Sequence, residues 1–305
     1  MRLNKRFFVS AMTLMCLLAA GALSKPGRLM LGRVGVAFET GELGTLWSEV
    51  KPEAAAAFAS DVEQRARARH GWRSTVLNSL ARGVITSYDR SGAVTRRIGL
   101  TVYRSYPDHV RVELGFGMPL EVLGFDGQEA WKAGAGALTR HEARDIRAWL
   151  RGCPERLFIN RSAGANYREA GRRVEDYKPA TPWAGATQQV PTTLEQVELE
   201  DIIGAVATPR RLSADRRFVE YYIDRDNSVV ASARWLEPQD PTQLPDDPNR
   251  SSLDVRIDFD TWTHVGGVLW PMRVTHWLGG KVDFRIDFEQ VLVNQQMPDT
   301  MFQRP

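Results

Sequence analysis

The sequence predicts a mainly β fold of the α+β class, built on one large curved antiparallel sheet. Two observations lead there. About ten segments alternate apolar and polar residues with a period of two, and clusters of Gly, Pro, Asp and Asn separate most of them as turns. The alternation also leaves one apolar and one charged face, and a sheet this wide normally curls or closes so that its apolar face lines an interior.

The first 24 residues read as an export signal. A cationic head, Met1 to Arg6, precedes an apolar run from Phe7 to Leu23 that only Ser10 and Thr13 interrupt. Ala20-Gly21-Ala22 and Ala22-Leu23-Ser24 fit small-residue cleavage sites, placing the cut near Ala22 or Ser24. The alternative is an uncleaved inner-membrane anchor, for which the run is at the short limit. Cys16 lies mid-run behind Leu14-Met15 and does not fit a lipoprotein signal.

Pro52 to Arg69 predicts a helix, rich in Ala and striped by Ala55, Phe58, Ala59, Val62 and Ala66, with Gly71 as its stop. Thr75–Tyr88 and Val94–Tyr106 predict two strands joined by the turn Asp89-Arg90-Ser91-Gly92. Val110, Val112, Leu114 and Phe116 alternate with Arg111, Glu113 and Gly115 in a third. Pro119–Phe125 and Glu129–Ala133 read as short strands around the hairpin signal Asp126-Gly127. Thr139 to Leu150 returns to helical spacing, with Thr139 and Glu142 placed as a capping box and Ile146, Trp149 and Leu150 as the apolar face.

Strand patterns resume at Leu194–Val206, Phe218–Asp224, Val229–Leu236, Leu253–Trp262, Val268–Leu278 and Val282–Val293. In the last, Val282, Phe284, Ile286 and Phe288 oppose Asp283, Arg285, Asp287 and Glu289. Val291 and Val293 fall out of phase, predicting a bulge near Gln290. Gly279-Gly280 predicts a tight hairpin. The proline-rich stretches Lys178–Pro191 and Glu237–Arg250 read as surface loops.

Composition narrows the function classes. The chain has 40 Lys and Arg against 37 Asp and Glu. Loss of Arg2, Lys5 and Arg6 with the leader brings the two to equality, so no basic surface for nucleic acid is left. Cleavage also leaves Cys153 as the lone cysteine, and an intramolecular disulfide is then excluded.

No catalytic constellation emerges. The histidines at 70, 109, 141, 264 and 276 show no metal spacing, and Asp145 stands where a zinc-protease pattern opened by His141-Glu142 needs its second His. Gly134-Ala135-Gly136 is a turn rather than a phosphate loop, and there is no Gly-x-Ser-x-Gly elbow. Asn160-Arg161-Ser162 and Asn249-Arg250-Ser251 match a short glycosylation sequon that is frequent by chance. The sequence therefore calls for no enzyme, metal or cofactor. Trp131, Trp149, Trp262, Trp270 and Trp277 supply either ordinary core packing or the walls of an apolar cavity.

Several stretches resemble the periplasmic lipoprotein carrier family, LolA/LolB-like. Tyr106-Pro107-Asp108-His109-Val110-Arg111-Val112-Glu113 is similar to its "P-x-x-hydrophobic-R-x-E" strand, and Gly124-Phe125-Asp126-Gly127-Gln128-Glu129-Ala130-Trp131 to its "DG-x-x-x-W" hairpin. Ile223-Asp224, within Arg217 to Ala233, resembles a "hydrophobic-x-x-x-I-D" strand pair. Val265 to Pro271 is like "V-x-G-hydrophobic-x-x-P", and Val291 to Pro305 is like the family ending, with Asn294, Asp299, Phe302 and Pro305 in place. The resemblance covers residues 74–133 and 215–305.

It implies an incomplete antiparallel β-barrel with helices packed in or over its mouth. It also implies a noncatalytic periplasmic protein that holds lipid or lipoprotein acyl chains in the barrel. The expected organisation is a signal peptide, 1–24, and a single domain, 25–305, with an unassigned insertion at about 134–214. The expected apolar lining is Val110, Val112, Leu114, Phe116, Val255, Ile257, Phe259, Phe284, Ile286 and Phe288, with Trp131 at the rim. Two other readings stand beside this one: a sensor or accessory partner of an envelope membrane complex, for which 134–214 would supply the surface, and a cell-envelope hydrolase.

Overall fold

The computed structural model describes residues 52–134, 138–177, 192–203, 218–238 and 252–305. The expected leader, the stretch Lys178–Pro191 and all but the start of Glu237–Arg250 lie outside them.

Helix α1 spans Pro52–His70 and stops at Gly71, whose φ of 64° a side chain would resist. Five strands follow: β1 (Asn78–Tyr88), β2 (Val94–Ser105), β3 (His109–Leu114), β4 (Glu121–Asp126) and β5 (Ala130–Lys132). Helices α2 (Arg140–Arg151) and α3 (Arg156–Ser162) come next. Seven more strands complete the order: β6 (Tyr167–Tyr177), β7 (Thr192–Glu200), β8 (Phe218–Asp224), β9 (Val230–Pro238), β10 (Ser252–Val265), β11 (Val268–Leu278) and β12 (Lys281–Val293). A 3-10 turn, Asp299–Phe302, follows them.

All twelve strands form one antiparallel sheet in the order β5-β4-β3-β2-β1-β12-β11-β10-β9-β8-β7-β6. Its two ends, β5 and β6, do not pair, so the barrel is open. The local chemistry agrees with the sequence. Gly279 and Gly280, both at positive φ, join Leu278 to Lys281 in a two-residue hairpin. Arg82 pairs with Gln290 but Gly83 with Phe288, which puts the extra residue of a bulge at Glu289. Asp89 accepts hydrogen bonds from Ser91 N and Ala93 N and shapes the β1–β2 turn.

The sheet is strongly curled. Tyr106, just after β2, donates its hydroxyl to Glu155 at the start of α3 at 2.6 Å, and Asn160 on the same helix donates to Asp201, just after β7, at 3.3 Å. Strands β2 and β7 are seven positions apart, about 34 Å on a flat sheet. One short helix meets both only because the two limbs of the sheet fold toward each other.

Residues 134–214 contribute α2, α3, β6 and β7. Both strands extend the sheet itself and both helices lie on its inner face. Asn160 is fully buried on α3, so its sequon is a packing residue rather than a glycan acceptor.

Candidate functional site

The register builds the inner face row by row. Val291, Ala81, Val102, Val112 and Leu123 pair successively across β12, β1, β2, β3 and β4. Phe288, Gly83, Leu100 and Leu114 form a second row. Phe259, Val274, Ile286, Ile85 and Ile98 form a third, across five strands without one polar side chain. Ile257, His276 and Phe284 begin a fourth, and Val255 pairs with Leu278 beside it. Gly83 is glycine because a Cβ there would lie 2.2 Å from Asp287 O.

Of the expected lining, Val110, Val112, Val255, Ile257, Phe259, Ile286 and Phe288 are buried on this face, and Leu114 and Phe284 are partly buried against it. The inner face is filled by the helices. Ile146, Trp149 and Leu150 of α2 and Leu157 and Phe158 of α3 share its core. Trp149 stacks on Phe284 at 5.9 Å, and Phe284 stacks on His276 at 4.5 Å.

Two expected lining residues sit elsewhere. Phe116 lies beyond the end of β3, in the loop closed by Leu120 N donating to Leu114 O, and is 69% exposed. The alternation that placed it inside stops at Leu114. Met118 and Leu120 in the same loop are exposed as well. Trp131 is not at the rim. It shares a register row with Gly124 and Arg111, whose parity is opposite to that of Val110 and Val112. It therefore lies on the outer face, 4% exposed beneath Phe302.

The helices are seated by a buried ionic joint that no sequence pattern reveals, because its members are far apart along the chain. Arg151 meets Asp201 at 2.7 Å and Glu237 at 3.6 Å, and Arg147 meets Glu237 at 3.3 Å. Burial alone would raise the Glu237 carboxyl, but the two arginines outweigh it and hold it below the usual range. Cys153, between α2 and α3, is pushed up to about 12 by burial and by Glu155, so it stays a thiol. At the other end of α2, Thr139 and Glu142 form the expected capping box. Lys132 pairs with Glu142 and, with the Thr139 amide, lowers that carboxyl to about 2.

His70 closes the inside below α1. Its Nδ1 donates to Leu269 O and its Nε2 accepts from Val230 N at 3.1 Å. Complete burial lowers its pKa to about 3, and it is neutral at any physiological pH. On the outer face, Val84, Thr86, Tyr88, Val94, Arg97, Arg285, Asp287 and Glu289 line a shallow groove of about 480 Å³. Its mixed charges do not suit an apolar ligand. Among the described residues no cluster of His, Cys, Asp and Glu could hold a metal ion, and no helix is long and apolar enough to cross a membrane.

No protein-family model matches the sequence, and a search of the curated proteins finds no match. Solved structures do match. A LolA superfamily protein from Nitrosomonas europaea is 12% identical with a TM-score of 0.50, over 81% of this chain and 98% of that one. A DUF1329 family protein from Desulfovibrio piger is 9% identical with a TM-score of 0.42, over 82% and 97% of the two chains. A domain described as an outer membrane lipoprotein-sorting protein, from Vibrio parahaemolyticus, is 9% identical with a TM-score of 0.40, over 83% and 97%. At 12% identity the likeness to the Nitrosomonas protein concerns architecture alone, and that architecture is the LolA-like open barrel.

Proposed function

We propose that the protein is a noncatalytic periplasmic carrier that takes up a lipid or lipoprotein acyl chain on the inner face of the barrel, in the place α2 occupies here. One observation carries this reading. Apolar rows run across up to five strands, and what covers them includes a short helix seated by three large apolar side chains, Ile146, Trp149 and Leu150.

The magnitudes allow the exchange. A sixteen-carbon chain gains on the order of 10 kcal/mol at ~0.8 kcal/mol per methylene. Uncovering three large side chains costs about 1.5–3 kcal/mol each. Phe116, Met118 and Leu120 stand exposed at the same end of the sheet as the start of α2, where an entering chain would meet them first.

The test is to purify the protein from the periplasmic fraction, extract it for lipid mass spectrometry, and titrate it with a fluorescent fatty acid. Saturable binding lost in Ile257→Glu supports the carrier. Absence of any bound lipid and of fatty-acid binding, with the fold intact, would remove it in favour of the accessory reading.

A further inference from the structure

Strand β5 is three residues long and pairs with β4 alone. Its neighbours Trp131 and Lys132 point to opposite faces of the sheet. Outside, the Trp131 ring lies flat on Gly124, where an added Cβ would be 2.2 Å from the ring. Trp131 Nε1 donates to Phe302 O at 2.7 Å, and Arg111 Nη1 donates to Met301 O at 3.0 Å. The Phe302 side chain is 1% exposed and meets His109 edge-on at 5.7 Å. Inside, Lys132 holds Glu142, the carboxylate that caps helix α2 at Thr139.

We propose that the C-terminal turn is a latch for helix α2, acting through the sheet by way of β5. Phe302 fixes Trp131, Trp131 fixes the short edge strand, and Lys132 on that strand fixes the start of the helix covering the inner face. Releasing the turn frees β5, because a three-residue edge strand with one neighbour has little else to hold it. The helix then loses its anchor at one end while the ionic joint at Arg151 keeps the other end seated, so the cover swings rather than detaches. The latch does not depend on what the inner face binds, and its test contains no ligand.

The test is amide hydrogen exchange on the full chain, comparing α2 (140–151) with β12 (281–293). In Phe302→Ala, α2 amides exchange about tenfold faster while β12 is unchanged; that ratio is the size of one well-made buried interaction. Trp131→Phe keeps a ring in the slot and removes only its hydrogen bond to Phe302 O. It accelerates α2 about threefold. Acceleration confined to 299–302 in both variants would overturn the latch. So would equal acceleration of α2 and β12 in Trp131→Phe, since the turn would then be a general stabiliser. Should Phe302→Ala loosen the whole sheet, Trp131→Phe decides.

Discussion

At position 124 the indole of Trp131 occupies the space any side chain would need, with Cζ2 2.2 Å from an added Cβ. Gly124→Ala is expected to lower stability by about 1–3 kcal/mol by displacing that ring, measured by denaturant unfolding. His70 contributes to the response to acid. The unfolded chain takes up a proton near pH 6.5, but the folded His70 takes none until about pH 3. The stability contributed by its neutral burial is therefore complete above pH 6.5 and falls as pH drops toward 3. The expected slope is up to about 1.4 kcal/mol per pH unit, and His70→Gln should flatten it in thermal melts between pH 7 and 4. Phe116 marks how far single residues can be read from pattern. It continues the alternation of Val110, Val112 and Leu114, yet two glycines flank it and the hairpin has already turned.

At the scale of elements, α2 is the one whose docking the proposed function needs to be reversible. Thr139→Ala removes half of its capping box and should cost about 1 kcal/mol. Trp149→Ala removes its stack on Phe284. If an acyl chain replaces the helix, that variant binds a fluorescent fatty acid severalfold more tightly; a chain packed against Trp149 would bind more weakly. This helix was legible because Thr139, Glu142 and the Ile146/Trp149/Leu150 spacing act locally. So were the glycine hairpin at 279–280 and the bulge beside Gln290, where a break in phase is itself the signal. Strand β6 was not legible. Arg168, Glu169, Arg172, Arg173, Glu175 and Asp176 leave it no apolar period, and it is a strand because β7 pairs with it, through three register shifts. Helix α3 follows a Gly and a Pro that read as an ending, and only the curled sheet around it makes a second short helix worthwhile.

For the whole molecule, an inner face that is mainly apolar, with Arg104 on β2 and His276 on β11 as buried polar exceptions, and an outer face of paired charges follow from the same alternation. Arg273–Asp287 and Arg234–Asp254, both 2.7 Å and half-exposed, belong to that outer face. Such exposed pairs contribute ~0–1 kcal/mol each, so the fold rests on the inside. The hold of Glu155 on Tyr106 and of Asn160 on Asp201 has a mechanical meaning. An open sheet has no ladder to fix its circumference, and its radius is set by whatever spans the gap. Here helix α3 acts as the cross-tie, drawing two limbs together through Tyr106 and Asp201. Glu155→Ala should slacken that tie and raise the radius of gyration in small-angle scattering while strand content stays constant. The width of the bore is thus governed by a few side chains at one joint rather than by the hydrogen bonds of the wall.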